Sequence, residues 1–311
     1  MNSYLFEHRQ NRYLPEEKSL AGLLCCTNKA GWQDWYIGRN ILFSHRITDY
    51  SINIFPEKLH AHEFYEMDIY ISGKISFVSG SEEIFPERND ILIIPPGCTH
   101  TARLLEAGQY ERYVFYFSTA VFKNLGLSAA PHVFCENKPS CRYITSDARA
   151  EFFYAFEKLK HTLSEETPDA GLLAYSYMLQ ILYLVANGSA VNRKGIAAVP
   201  QNVYEVKNYI DHNFQSIVTV TDVANHFFYS REYVSRIFKQ YYNINISEYL
   251  TMQKIAFAKE QLEKGKSIQY VADLSGFRSM SSFVNSFKAC AGTTPSKYKQ
   301  SGKPDLHEKN I

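Results

Sequence analysis

His60 and His62 stand two residues apart, Glu66 follows four residues later, and His100 closes a Pro95-x-Gly97-x2-His100 run. Three imidazoles and a carboxylate form a donor set that suits iron, manganese, zinc or nickel. The same groups also serve as hydrogen-bonding partners for an organic ligand. Alternate residues of a strand share a face, so His60 and His62 are expected on one side, with Glu66 and His100 joining from neighbouring strands. Tyr65 is assigned to ligand contact beside them, and Tyr70, Arg46 and Tyr113 are further candidates for the lining. A second set of residues has a different chemistry. Arg231, Glu232, Ser235, Arg236 and Lys239 lie on one predicted helix face, and Arg278, Ser279, Met280, Ser281, Asn285 and Lys288 lie on or beside another. Arg236 can pair bidentately with guanine and Asn285 with adenine, while Met280 can touch a thymine methyl. Lys239 and Lys288 come later on their helices and suit phosphates.

The elements that carry the second set form an internal repeat. Val220–Lys239 and Ile268–Lys288 share Val-Ala, then Ser, then two apolar residues and Lys, with one extra residue in the second turn. Each unit reads as helix, tight turn, helix. Thr219 and Asp222 make a capping pair, and Val220, Val223, Ala224 and Phe227 form an apolar stripe at helical spacing. Ser230 and Ser279 are placed to cap the second helices. Those helices are expected to bury Val234, Ile237, Phe238 and Tyr241 in one unit and Phe283, Ser286 and Phe287 in the other. Gly276 supplies the permissive turn position. A connector helix, Ser247–Lys264, is expected to open at Ser247 and close at Gly265, with Ile255, Ala256 and Leu262 on its core side. About one turn of B-DNA, roughly 34 Å, is the natural separation of two such readers.

The first third is rich in strand signals: Glu66–Ile71, Lys74–Val78, Glu83–Phe85, Asp90–Ile94 and Arg112–Phe117, separated by turn residues. Short strands at this spacing predict a sandwich or barrel. Asp147–Leu163 and Asp169–Val185 read as helices with apolar faces, suited to a core wall or a dimer interface. Asn187–Pro200 is the linker candidate. The expected organisation is a sensing domain over 1–130, a helical dimerisation segment over 131–190, a DNA-binding domain over 200–300 and a flexible tail over 301–311.

At 311 residues the chain exceeds one ordinary core, and its formal net charge of +1 singles out no partner. Basic residues outnumber acidic ones only after residue 200, which fits a nucleic-acid surface. The six cysteines, Cys25, Cys26, Cys98, Cys135, Cys141 and Cys290, form no CxxC pair, which argues against a zinc ribbon or a disulfide scaffold. Met1–Gln10 is polar and no apolar run is long enough to span a bilayer, so a cytoplasmic, non-membrane protein is expected.

Residues 200–298 resemble the AraC/XylS-type DNA-binding domain. The resemblance lies in V-T-D-V-A, Y-S-R-E-Y-V-S-R-I-F-K, I-S-E-Y-L, I-A-F-A-K-E-Q-L, S-I-Q-Y-V-A-D-L-S-G-F-R-S-M-S-S-F-V-N-S-F-K and the closing G-T-T-P-S-K-Y. It implies seven helices, binding to double-stranded DNA at promoters, and action through RNA polymerase. Phe228 and Asn243 stand where that family often has Gly, Lys254 where Arg is frequent, and Asn285 where Arg or Lys is frequent. The His60-x-His62-x3-Glu66 and Pro95-x-Gly97-x2-His100 runs resemble the signatures of the cupin superfamily, whose enzymes bind a divalent metal there; Asn89 departs from the usual Gly. The fold expected is multidomain α and β: a cupin-like β-barrel with a helical dimerisation segment, then an all-α domain with two helix-turn-helix units. The expected function is transcription regulation by a homodimer responsive to a small molecule, with carbohydrate as a suitable class. No catalysis, cofactor or metal is assigned. The rival reading is a metal-dependent cupin enzyme with a helical appendage, for which His60, His62, Glu66 and His100 would be the ligands.

Overall fold

A computed structural model describes residues 23–27, 33–37, 41–50, 58–62, 64–118, 121, 142–144, 150–165, 169–187 and 196–300. The chain divides into two compact units, one within Gln10–Ala198 and the other within Val199–Ile311. The polar stretch Met1–Gln10, the 301–311 tail and most of the linker candidate lie outside the described residues.

The first unit holds eleven described strands: β1 (Leu23–Thr27), β2 (Gln33–Ile37), β3 (Ile41–Tyr50), β4 (Tyr65–Ser72), β5 (Ile75–Ser79), β6 (Glu82–Ile84), β7 (Ile91–Ile94), β8 (His100–Leu104), β9 (Gly108–Phe117), β10 (Arg142–Ile144) and β11 (Ile196–Ala198). They form two antiparallel sheets, ordered β1-β2-β3-β9-β4-β7-β10 and β11-β6-β5-β8. β11 falls inside the linker candidate, where Ile196 pairs with Ile84 and Ala198 with Glu82. One face of the larger sheet carries Trp35, Phe43, Tyr65, Met67, Ile69, Ile93, Phe115 and Phe117. Two helices, α1 (Ala150–Ser164) and α2 (Ala170–Asn187), cover it with Phe152, Phe156, Leu159, Met178, Ile181 and Val185. The Trp35 indole anchors this contact by donating to the Leu163 carbonyl at 3.2 Å. The other face packs Leu92 and Ile94 against Phe77, Ile84 and Ala102 of the smaller sheet. Strand alternation therefore gives the larger sheet one face for helices and one for the interior between the sheets.

The second unit holds seven described helices: α3 (Gln201–Asn213), α4 (Val220–His226), α5 (Arg231–Tyr242), α6 (Ile246–Glu263), α7 (Ile268–Leu274), α8 (Met280–Ala291) and α9 (Pro295–Gln300). The expected capping pair forms. Thr219 Oγ1 accepts from the Asp222 N–H at 3.3 Å, and the Asp222 carboxylate accepts from the Thr219 N–H at 2.8 Å. Ser230 accepts from the Tyr233 N–H and Ser279 from the Ser282 N–H, satisfying donors that a helix start otherwise leaves open. α5 buries Val234, Phe238, Tyr241 and Tyr242, with Ile237 half-buried. α8 buries Phe283, Phe287 and Ala291, with Ser286 half-buried.

The connector differs from expectation at both its start and its face. Asn245, not Ser247, is the N-cap of α6, in a capping box with Glu248 three positions into the helix. Ala256 is exposed, and the buried positions are Ile246, Tyr249, Leu250, Lys254, Ile255, Ala258 and Leu262. Ile255, Ala258 and Leu262 follow the i, i+3, i+7 path of one helix face, and Ala256 lies off it.

Phe228 adopts φ +54° and is 97% exposed. An L-residue in this left-handed region costs about 1–2 kcal/mol, and glycine avoids the cost. Phe228 has no packing to lose, so Phe228→Gly is expected to raise stability by about 1 kcal/mol, read as a higher denaturation midpoint in urea. A lower midpoint would show that the ring holds contacts in solution.

Candidate effector and DNA-contact sites

His60, His62, Glu66 and His100 meet, each offering one donor atom within 4.8 Å of the other three. They arrive from separate places. Glu66 is on β4 of the larger sheet and His100 on β8 of the smaller. His60 and His62 precede β4 outside a regular strand, which corrects the expected strand alternation. A bridge fixes them instead: the His60 N–H donates to the His100 carbonyl at 3.0 Å, and the His100 N–H to the His60 carbonyl at 2.9 Å. The Gly97 N–H donates to the His62 carbonyl at 2.8 Å, joining the two sequence runs.

The imidazoles share one orientation device. Nδ1 of His60 lies 2.8 Å from the Lys58 carbonyl, Nδ1 of His62 2.7 Å from the Phe64 carbonyl, and Nδ1 of His100 3.0 Å from the Cys98 carbonyl. A carbonyl only accepts, so each Nδ1 carries the proton and each neutral ring leaves Nε2 as its acceptor. Nε2 of His62 lies 2.8 Å from Glu66 Oε2, and Nε2 of His100 lies 3.4 Å from the same oxygen. Acceptors facing a carboxylate at such distances require a positive charge among them, as a proton or a metal ion. Burial pushes His62 below its ordinary value despite the carboxylate. Burial opposes charge on His100 too, yet its contact with Glu66 raises it. Burial alone would raise the Glu66 carboxyl, but His100 and His62 hold it well below the usual carboxylate range. Nδ1 anchored to main-chain carbonyls, with Nε2 of His62 and His100 turned to Glu66, is the outer-shell arrangement of metal-binding histidines. The donor set therefore fits a divalent transition metal. Such an ion would supply a fixed positive charge and a Lewis-acidic position for an oxygen ligand.

Glu66 also begins a polar belt on the interior face of the larger sheet. Asp34 on β2, Ser44 and Arg46 on β3, Arg112 and Tyr116 on β9, and Glu66 and Asp68 on β4 are all buried. Arg46 pairs in register with Arg112, and Glu66 with Tyr116. Arg46 Nε donates to Ser44 Oγ at 3.2 Å, and Ser44 Oγ donates to Asp34 at 2.6 Å. Arg46 also lies over the Tyr116 ring, and Arg112 lies 3.7 Å from Asp68. Of the expected lining, Arg46 and Tyr70 face this side. Tyr65 and Tyr113 do not. Tyr65 stacks on Phe117 in the core beneath the helices, and Tyr113 packs against Phe43 and Phe156 there. The ligand-contact assignment of Tyr65 is corrected accordingly: it neighbours Glu66 on a strand and must point to the opposite face. Asp34, Ser44, Asp68, Arg112 and Tyr116 escaped the sequence reading, although each shares strand parity with an interior-facing neighbour.

In the second unit Arg231, Glu232, Arg236 and Lys239 are exposed on α5, and Ser235 is half-buried. On α8, Ser281, Asn285 and Lys288 are exposed, as is the cap Ser279. Met280 is half-buried against Phe283 and its neighbours, which limits its reach. Arg236 extends over the Tyr233 ring, 5.7 Å from its centroid.

Residues 46–182 match the AraC-like ligand binding domain, and residues 223–301 match a helix-turn-helix domain. The probable transcription factor PqrA of Proteus vulgaris is 34% identical over 92 residues, 29% of this chain and 75% of that protein. The chain belongs to the AraC family of transcription regulators. It has an N-terminal β-rich ligand-binding domain of AraC type and a C-terminal helical helix-turn-helix domain. Another family member, the raffinose operon transcriptional regulatory protein of Pediococcus pentosaceus, is 28% identical over 95 residues. That match covers 30% of this chain and spans only 34% of the raffinose regulator. Among solved structures, the C-terminal domain of AraT, a response regulator from Geobacillus stearothermophilus, is 26% identical with a TM-score of 0.32, covering 36% of this chain and 94% of that one.

Proposed function

We propose that the chain is a sequence-specific DNA-binding transcription regulator whose N-terminal domain responds to a small molecule. The observation that carries this is the two capped helix pairs, whose second helices each have a buried apolar face and an outward face bearing Arg236 or Asn285; we read each pair as a helix-turn-helix unit. α5 and α8 are the recognition helices. Arg231, Glu232, Ser235, Arg236 and Lys239 contact DNA from one, and Ser279, Met280, Ser281, Asn285 and Lys288 from the other. The sheets act as a cupin-like barrel, with the effector held by the polar belt and the histidine cluster. Relatives named for raffinose and melibiose operons make a carbohydrate the first effector class to test. The sensing segment 1–130 and the helical segment 131–190 work as one unit, because α1 and α2 pack on the larger sheet and β10 pairs with β7, while 200–300 is the DNA-binding domain. The protein works as a cytoplasmic homodimer that engages RNA polymerase. Leu172, Leu179 and Tyr183 lie along α2 at heptad-like spacing, with Leu172 and Tyr183 exposed, and this stripe supplies the dimer contact. Among the described residues no helix is long and apolar enough to cross a membrane.

Arg236→Ala is expected to weaken binding to the preferred DNA by about 1–3 kcal/mol and to relax base preference at one position. Binding curves on the preferred sequence and its single-base variants check this. Equal weakening on every sequence would make Arg236 a phosphate contact instead.

A second reading concerns the sensor. The three Nδ1 anchors favour a resident divalent metal at His60, His62, Glu66 and His100 as part of the effector site.

A further inference from the structure

Lys254 is a charged residue in the middle of the connector helix α6, and it is only 6% exposed. Its Nζ donates to the Ile217 carbonyl at 2.9 Å and to the Gly276 carbonyl at 2.7 Å. These carbonyls belong to different halves of the domain. Ile217 leads into α4 of the first helix pair, and Gly276 is in the turn between α7 and α8 of the second. The ammonium also sits 5.7 Å from the centroid of the Phe277 ring. A second contact joins the same places. Gly276 lies so close to Gln215 that a Cβ on it would come within 1.9 Å of the Gln215 carbonyl oxygen.

Each half also packs on α6 separately: Tyr249 meets Phe238 and Asp211 of the first half, and Ile255, Ala258 and Leu262 meet Val271, Phe283 and Phe287 of the second. Those contacts tie each half to the helix, whereas the buried cation holds a carbonyl from both halves at one point, and hydrogen bonds to a charged donor are short and strong. We infer that Lys254 is the positioning residue that sets the placement of the two recognition helices, and through it the spacing of DNA segments the protein reads. This rests on the DNA-binding reading above.

The test uses the full chain and Lys254→Met, Lys254→Gln and Lys254→Arg. Duplexes carry the selected recognition sequence with one base pair added or removed between its two contacted segments. Each such step shifts a segment by about 3.4 Å and turns it by about a tenth of a helical turn. Wild type and Lys254→Arg should lose about tenfold in affinity per step, and Lys254→Met and Lys254→Gln only about twofold. A DNA-free readout accompanies this: distances between spin labels on unnatural residues replacing Gln240 and Ala289, both exposed, in chains diluted with unlabelled protein. The distribution should be narrow in wild type and Lys254→Arg, and broad in the other two. Retention of the tenfold spacing penalty and a narrow distribution in Lys254→Met overturns the inference. Loss of helical signal in both Lys254→Met and Lys254→Gln also overturns it, by making Lys254 a stability residue only. If wild type binds no preferred DNA, the DNA-binding reading fails by itself, and the label distances still decide whether Lys254 positions the helices.

Discussion

Gly276→Ala is expected to destabilise the helical unit by more than about 4 kcal/mol, a size reached by few single substitutions. Two costs combine. Gly276 has φ +71°, where an L-residue costs about 1–2 kcal/mol. The added methyl would also lie 1.9 Å from the Gln215 carbonyl oxygen and 2.8 Å from its carbon. Both are backbone atoms, so relief requires the segment between α3 and α4 to move. That movement would pull Ile217 away from Lys254, so the same change should also weaken DNA binding. Gly265→Ala is the control. Its φ is +81° but open space surrounds it, so only the conformational cost of about 1–2 kcal/mol is expected. Urea denaturation followed by circular dichroism compares the two. Equal effects at the two glycines would mean that the Gln215 contact is absent in solution.

The second large effect concerns the histidine cluster. Purified wild type is expected to retain close to one equivalent of a divalent transition metal, and a chelator should lower its melting temperature, because an ion that binds only the folded chain stabilises it. His100→Ala and Glu66→Ala each remove a donor from a set of four. Substituting outer-shell partners alone typically costs 10–100-fold in metal affinity, so losing a ligand should cost at least about 100-fold. Competition against a colorimetric chelator measures this. A wild-type chain without metal, whose melting temperature ignores added zinc, nickel, iron and manganese, would leave the cluster as hydrogen-bonding groups for an organic effector.

Much of this was legible in the sequence, and the misses have physical causes. The repeat around Ser230 and Ser279 revealed both helix pairs because caps and apolar stripes are local features. The histidine runs pointed to one site although their residues meet through a bridge and a loop rather than along one strand. Sidedness is also legible, and it excludes Tyr65 from the ligand side: with Glu66 turned inward, its neighbour must face outward. The cap of α6 is not marked by residue type alone: Ser247 resembles a cap, while Glu248 pairs with Asn245, three positions before it. The burial of Lys254 was not legible. Its partners are carbonyls 37 and 22 positions away, and no residue type marks a carbonyl that will be buried. Arg46 beside Arg112 was hidden for the same reason, since their pairing depends on the register of β3 with β9.

Selection of bound duplexes from a random pool by the purified full-length protein is the most direct measurement. Two short preferred segments about one helical turn apart should emerge, with guanine required where Arg236 reaches and that requirement lost in Arg236→Ala. Recovery of unrelated sequences, retained only at low salt and indifferent to Arg236→Ala, would contradict the reading of α5 and α8 as recognition helices.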